Sequence, residues 1–420
     1  MANLTNAKTK LGDFDELTFG NENDMLDYFL QQEKTDSWKE VVTNEINALP
    51  LEDINPLMIR VGAVPVMYRG TDMSGKIAED VTDDDIKDSS QNPKLMVAFP
   101  EPNGMIVYPL RYTAFSGIQN RAGIGGRAIS RLDNYGPQVE MSAINRAACI
   151  NMGLELYRNK TKILVRYNNP YDAADGVKVT ALMSGDDNDY SILEQYRLIN
   201  VLRNELSTNF SSYNYLSATT SYEISSISYE LDDEAMKNQI ANTLIAYGTN
   251  VDKSDIKITV RLTTSDVGLC QARLTPIVLI NDVPVPIGQI KEVKHQNKAT
   301  VAKFADECHT FLIKFRDNMK SFEDLGKIKI TNPSDCFKRV YEKLNLTGYR
   351  DQLLDILERI ETEHAFGCSG YDIYWYFCEM LYQKEAAVSA KGDNSYMYKS
   401  IKAQETIASI LRMDLKEYDY

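Results

Sequence analysis

From about residue 298 to its end, this 420-residue chain places its apolar residues at helical spacing. Two stripes recur every three to four residues: Val301, Phe304, Ala305, Cys308, Phe311, Leu312 and Phe315, then Leu353, Leu354, Leu357 and Ile360. Such stripes are the faces by which amphipathic helices pack on a core. The segment Tyr371–Tyr382 is apolar on nearly every side, which is typical of a central buried helix. The sequence therefore predicts a helical C-terminal domain over residues 297–420.

Residues 57–296 show a different pattern, in which strand-like runs rich in Val, Ile and Tyr alternate irregularly with helical segments. Regular βαβ units would produce a steadier alternation. We therefore predict the α+β class, with a mixed or antiparallel sheet, packed helices and the helical C-terminal region after it.

Residues 1–56 are predicted to form an N-terminal helical segment. Met25 and Phe29 mark the apolar face of a first helix. Thr35 or Asp36 can cap a second helix, which would carry Trp38, Val41, Val42 and Ile46.

A longer helix is predicted near Gln138–Arg158. Met141, Ile144, Ala148 and Met152 repeat at helical spacing and are predicted to form its buried face. Arg146 lies about 200° from that face, so we expect it to point to solvent or to a ligand.

Charge is distributed unevenly along the chain. The net charge is −14, yet residues 1–100 alone hold 9 basic and 19 acidic side chains, six of the acidic ones within Glu79–Asp88. Residues 121–166 hold only three carboxylates against a basic set of Arg121, Arg127, Arg131, Arg146, Arg158, Lys160, Lys162 and Arg166. An asymmetry of this kind indicates an anionic partner for the basic stretch or, alternatively, only a solvated surface.

The basic stretch contains a glycine-rich turn. Gly123, Gly125 and Ala128 match the letters of a dinucleotide-binding fingerprint, but the preceding segment is helical in pattern and the expected acid is missing. Glycine backbone N–H groups with Arg121, Arg127 and Arg131 beside them can approach phosphates closely. A plain turn is the alternative interpretation.

Aromatic residues and a second basic patch accompany this stretch. Several of the 25 tyrosines lie near it, among them Tyr108, Tyr135 and Tyr167. Single strands bind to positive grooves with aromatic platforms, although half-buried strand residues would show the same composition. The second basic patch comprises Lys291, Lys294, His295, Lys298 and Lys303.

Residue sets for catalysis or metal binding are sparse. Asp282, Glu292 and Lys294 resemble the acid and Glu-x-Lys pattern of Mg²⁺-dependent nucleases, in which two carboxylates hold the metal. His364 and Cys368 lie four residues apart, but no second pair completes a zinc site. We therefore expect no cofactor and no resident metal, and a binding protein is favoured over an enzyme.

Targeting signals are not recognisable in the sequence. The first ten residues lack an apolar run, and no stretch of about 18 apolar residues occurs. The six cysteines contain no C-x-x-C pair. These features predict a cytoplasmic protein with free thiols that does not bind to membranes.

Three stretches resemble a phage- and plasmid-carried family of unknown function. Val177–Leu202 is similar to that family's segment of strand, Ser, Tyr and helix, Thr264–Ile280 is similar to its Ser-x-x-Gly strand, and Tyr371–Leu381 is similar to its late aromatic helix. The resemblance implies a phage or plasmid context and a role outside housekeeping, and it implies no reaction.

Taken together, these patterns favour a phage- or plasmid-type protein that handles nucleic acid without catalysis, binding or annealing single strands as an oligomer. The basic set of residues 121–166 would neutralise phosphates. Two alternatives remain: a phage structural or assembly protein that binds other protein subunits, and a Mg²⁺-dependent nuclease.

Overall fold

The computed structural model describes residues 16–50, 60–61, 64–68, 71–72, 95–102, 104–124, 139–156, 162–168, 179–186, 189–221, 224–248, 251–389 and 397–420. Within these ranges lie eleven α-helices and eighteen strands. The fold class predicted from the sequence, α+β with a mixed or antiparallel sheet region and a helical C-terminal region, is confirmed. None of the described helices is both long and apolar enough to cross a membrane.

The strands are β1 Leu17–Phe19, β2 Asp36–Val42, β3 Asn47–Pro50, β4 Arg60–Val61, β5 Val64–Tyr68, β6 Thr71–Asp72, β7 Leu95–Glu101, β8 Gly104–Pro109, β9 Lys162–Asn168, β10 Val179–Ser184, β11 Tyr213–Thr220, β12 Ser225–Leu231, β13 Ile256–Thr264, β14 Ala272–Ile280, β15 Val283–Pro286, β16 Lys291–Val293, β17 Lys329–Ile330 and β18 Cys368–Ser369. The α-helices are α1 Glu22–Thr35, α2 Tyr112–Arg121, α3 Val139–Leu156, α4 Gln195–Asn209, α5 Glu234–Ala246, α6 Val301–Ile313, α7 Met319–Leu325, α8 Pro333–Leu344, α9 Arg350–Glu363, α10 Gly370–Ser389 and α11 Met397–Ala408. Short 3₁₀ helices lie at Thr43–Glu45, Lys253–Asp255, Phe315–Asn318, Thr347–Tyr349, Ser409–Arg412 and Leu415–Tyr418.

A seven-stranded sheet organises the larger part of the fold. Its order is β1-β11-β12-β13-β14-β15, with β16 also paired to β14, and every pair is antiparallel. Along β13 the buried apolar residues Ile258, Val260 and Leu262 alternate with Thr259, Arg261 and Thr263, as the two faces of a strand require. One face of the sheet is therefore apolar and the other polar.

The C-terminal helices share one core with the apolar face of this sheet. A single buried cluster extends from Phe19 to Leu415. Helix α10 is buried on nearly all sides, as predicted, and Phe304, Cys308 and Phe315 of the α6 region are buried. In α9 the predicted stripe is partly wrong, because Leu354 is 67% exposed and Ile356 is buried in the core.

A second core lies in the middle of the chain and includes residues from Val41 to Leu182. It is enclosed by the three-stranded antiparallel sheet β2-β9-β10, by helices α2 and α3, and by a mixed sheet that contains β3, β5, β7 and β8. In that mixed sheet β5 pairs with β8 in parallel, whereas β3, β7 and β8 pair antiparallel. The domain boundaries 1–56, 57–296 and 297–420 stay predictions.

The second helix predicted in the N-terminal segment is wrong. Residues Asp36–Val42 form β2, which pairs antiparallel with β9 from Asp36 opposite Asn168 to Val42 opposite Lys162. Trp38 and Val41 are residue types that favour strands, and the partner strand about 130 residues later in the chain decides the outcome. A short apolar segment can form either a helix or a strand, and the element that it packs or pairs with decides which one forms.

The buried face predicted for α3 is wrong where its side chains are described. Ala148 and Met152 are exposed, whereas Ala147, Ile150 and Leu154 are buried; the side chains of Met141 and Ile144 lie outside the described residues. The amide of Asn151 joins α3 to β3, because its oxygen accepts a hydrogen bond from the backbone N–H of Ala48 (2.7 Å) and its nitrogen donates one to the Ala48 carbonyl (2.9 Å).

Gly153 is the close-contact point between α3 and the end of α2. A Cβ added to Gly153 would lie 2.8 Å from the Cβ of Ala122 and closer still to the Ala122 carbonyl oxygen. Such a separation is shorter than any normal van der Waals contact. The glycine therefore lets the two helices approach at the residue that follows Arg121.

We expect Gly153→Ala to lower the free energy of unfolding by about 1–3 kcal/mol, although alanine favours helix more than glycine does. The overpacked Ala122 contact is the cause. Gly348→Ala is the control, since a Cβ there meets no atom within 4 Å. Urea unfolding of both variants measures the difference, and an unchanged or higher midpoint for Gly153→Ala would contradict the packing described.

Candidate functional site

A polar cleft of about 560 Å³ lies where the second core meets the edge of the seven-stranded sheet. Its lining comes from the end of α2, the end of β10 and the segment after it, the loop between β13 and β14 with the start of β14, and the loop after β16. The lining residues are Arg121, Met183, Ser184, Asp189, Tyr190, Gly268, Leu269, Cys270, Gln271, Arg273, Lys294, His295, Gln296 and Asn297. The volume is that of a pocket for one small molecule or one residue of a polymer.

Left-handed backbone conformations shape two of the lining loops. Gly268 has φ +77°, and a Cβ there would lie 2.5 Å from the terminal carbon of Met183. In the loop after β16, Asn297 and Lys298 have φ of 56° and 57°. Asparagine adopts left-handed backbone angles more readily than most residues do. These two residues therefore form a turn that reverses the chain direction at the edge of the cleft.

His295 lies at the inner wall of the cleft and is 5% exposed. Its Nδ1 lies 3.2 Å from the carbonyl oxygen of Ser191, and its ring stacks on Tyr190 with centroids 5.6 Å apart. Trp38 packs on Tyr190 at 5.5 Å. Burial lowers the pKa of His295 to about 4, so its ring is neutral near pH 7.

A buried ion cluster lies behind this wall. Arg166 of β9 forms ion pairs with Asp36 of β2 and, at 3.2 Å, with Asp266 in the loop between β13 and β14. It also donates to Thr180 Oγ1 at 3.1 Å. Burial opposes the charge on Arg166, but the two carboxylates outweigh that effect and raise its pKa.

The carboxylates near Arg166 outnumber it. Burial raises the pKa of Asp266 to about 6, with Arg166 opposing the shift. Burial, followed by the nearby Asp266, raises the pKa of the partly buried Glu194 to about 7. Glu194 is therefore a carboxyl that titrates near neutral pH at the boundary between the two cores.

The cations that line the cleft differ in whether a carboxylate of the protein already pairs with them. Arg273 pairs with Glu292 at 2.9 Å and with Glu405. Arg121 and Lys294 form no ion pair with another described residue. The acidic lining residue Asp189 accepts a hydrogen bond from Ser184 at 2.6 Å. Arg121 and Lys294 are thus the lining cations available to an anionic ligand.

The basic set predicted from the sequence is only partly brought to this cleft. Arg121 lines it, whereas Arg127, Arg131, Arg158 and Lys160 lie outside the described residues. Lys162 is about half exposed and pairs with Glu40 at 2.7 Å. Arg146 and Arg166 are each 3% exposed.

The expectation that Arg146 points to solvent is wrong, and Arg166 is not an exposed cation. Arg146 belongs to the buried side of α3 because the helix is rotated from its predicted orientation, and burial lowers its pKa. Arg166 is neutralised within the fold by Asp36 and Asp266. Neither guanidinium is presented to a phosphate at the surface.

Of the three tyrosines named near the basic stretch, two pack in the core and one lies outside the described residues. Tyr108 is buried and stacks on Phe99, with ring centroids 4.7 Å apart, and Tyr167 packs against both rings. These are core contacts. Tyr135 lies outside the described residues.

The residues of the nuclease alternative are not brought together. Asp282 follows the end of β14 and pairs with Lys257, while Glu292 lies opposite Arg273 at the start of β14. Those two ends are about 25 Å apart along the strand. Across the described part of the chain, no group of three His, Cys, Asp or Glu side chains is placed to hold a metal ion.

Several lining residues were not identified from the sequence. Lys294 and His295 stood out as a basic patch, but Tyr190, Cys270 and Gln271 carried no motif. The available signal was indirect: Gly268 and Asn297 mark turns, and loops near turns often line sites. What joins these residues to Arg121 is tertiary packing.

No family model matches the chain, and no curated protein or solved structure matches it either. The resemblance to a phage- and plasmid-carried family therefore stays an expectation from the sequence.

We expect Glu194→Gln to raise the free energy of unfolding near about pH 8 and to lose this gain toward about pH 4. The native carboxyl has a pKa of about 7 against 4.5 in the unfolded chain, so the folded state binds more protons between those values. The contribution of Glu194 to the free energy of unfolding therefore falls as the pH rises from about 4.5 to about 7. Glutamine removes the buried charge.

Urea unfolding at several pH values measures the effect, with Glu234→Gln as the control because that side chain is 72% exposed. A gain for Glu194→Gln that is the same at every pH would contradict a titrating buried carboxyl.

Proposed function

We propose that this protein binds single-stranded nucleic acid without catalysis, and that the cleft is where the strand's phosphate is held. The observation that carries the proposal is the meeting of Arg121 with Lys294 in one cleft. These residues are about 170 positions apart in the sequence. Two cations without ion-pair partners among the described residues, in a concave and partly buried site, attract phosphate more strongly than the same cations on an open surface.

The residues that follow Arg121 in the sequence support the proposal. Arg121 is followed at once by the Gly123–Gly126 segment and then by Arg127 and Arg131. The sequence thus adds two further cations after Arg121, and a strand with one phosphate per nucleotide needs several.

The remaining features of the proposal come from the sequence. We propose a phage- or plasmid-type protein of the host cytoplasm that acts as an oligomer, since several weak sites along one strand add up to strong binding. The cations concerned would be Arg121, Arg127, Arg131 and Lys294.

We expect Arg121→Ala and Lys294→Ala each to weaken binding of a dT oligonucleotide and to reduce the salt slope of log K by about 0.7 per cation removed. Fluorescence anisotropy over a salt series measures both quantities. The control is Lys327→Ala, a 73% exposed lysine that does not line the cleft. No binding by the unmodified protein at low salt would refute the proposed function, and equal slopes for all variants would remove the cleft from it.

A further inference from the structure

Three of the side chains that line the cleft each hold a polar atom that has no hydrogen-bond partner among the described residues. The atoms are His295 Nε2, Gln271 Oε1 and Arg121 Nε, and all three are buried, so a ligand reaches them only when the side chains of the wall shift. A buried polar atom without a partner costs about 1–3 kcal/mol, so folds rarely leave several together. Other described residues also hold such atoms, for example Gln352 Oε1 on α9; what distinguishes these three is that their side chains line one cleft.

The hydrogen-bonding role of His295 is fixed by its neighbour. A backbone carbonyl only accepts, so Nδ1 carries the proton that it donates to Ser191 at 3.2 Å. In the neutral ring Nε2 then has a lone pair and no proton. His295 therefore holds an acceptor in the wall of the cleft, and a ligand that reaches it must present an N–H or O–H group.

Gln271 and Arg121 complete a mixed pattern. The free Oε1 of Gln271 is a second acceptor, whereas the free Nε of Arg121 is a donor. Phosphate oxygens near neutral pH are mainly acceptors, so they suit Arg121 and Lys294 and leave His295 and Gln271 unsatisfied. The ligand must combine an anionic group with hydrogen-bond donors.

We infer that the cleft holds a single nucleotide unit, with its phosphate at Arg121 and Lys294 and with donor groups of its sugar or base at His295 Nε2 and Gln271 Oε1. This inference rests on the proposed function, because a nucleotide is the repeating unit of a strand. A free nucleotide has the same chemistry. The volume of about 560 Å³ limits the cleft to one small molecule or one unit.

Isothermal titration of the full chain with AMP, adenosine and inorganic phosphate tests the inference. We expect AMP to bind at least about tenfold more tightly than phosphate or adenosine alone, because only AMP satisfies donors and acceptors together. His295→Phe retains a ring that can stack on Tyr190 and removes the acceptor. We expect it to weaken AMP binding about fivefold to tenfold and to leave phosphate binding unchanged.

Gln271→Leu is the second variant, since Gln271 is only partly buried and its loss does not threaten the core. The control is Gln352→Leu on α9, where Oε1 is equally buried and unpartnered but lies outside the cleft. We expect weaker AMP binding for Gln271→Leu and unchanged binding for the control. Equal losses in the two variants would contradict a specific contact.

Competition with a labelled adenine oligonucleotide separates the two sources of the ligand. Displacement of the strand by AMP supports a strand unit in the cleft, and simultaneous binding of both supports a free nucleotide. Equal affinity for AMP and phosphate overturns the inference, as does strand binding without AMP binding, and the latter leaves the proposed function standing. AMP binding without any strand binding refutes the proposed function and leaves the cleft as a site for a free nucleotide only.

Discussion

The ion cluster of Asp36, Arg166 and Asp266 is the interaction on which the site depends. Its members come from β2, β9 and the loop between β13 and β14, so it joins the three-stranded sheet of the second core to the seven-stranded sheet. A buried ion triad adds little net stability compared with apolar packing, yet removal of one member costs about 3–5 kcal/mol because an unpaired charge remains. The cluster therefore acts mainly by fixing where the two cores meet.

The cleft follows from that fixed position. Asp266 is two residues before Gly268, the start of the lining loop, and its backbone carbonyl accepts a hydrogen bond from the Tyr190 hydroxyl at 3.3 Å. Tyr190 in turn stacks on His295. A chain of contacts thus leads from the ion cluster to the free Nε2 at the cleft wall. Orientation of a binding group by packed neighbours is how a site gains specificity before its ligand arrives.

Sequence patterns predicted most of the secondary structure and little of the site. The α6 stripe and the buried helix α10 were predictable because each has one consistent apolar pattern over several turns. The assignment of β2 failed because its partner strand is remote. The α3 face failed because this helix has apolar residues on two sides, and only tertiary packing selects the side with Ala147, Ile150 and Leu154. Arg121, Tyr190, Gln271 and His295 meet only through the packing of two cores, which no local pattern encodes.

The burial of Arg146 and Arg166 changes what the positive stretch at residues 121–166 means. A count of charges along the chain treats every cation as available to a partner, but these two guanidinium groups are enclosed in the fold. Among the described residues, Arg121 lines the cleft, Lys162 is about half exposed, and Lys294 lies directly after β16. Binding through a few concentrated cations depends less steeply on salt than binding through eight, and it leaves more of the affinity to directional hydrogen bonds. A polar cleft with unmet donors and acceptors is suited to that second mode of recognition.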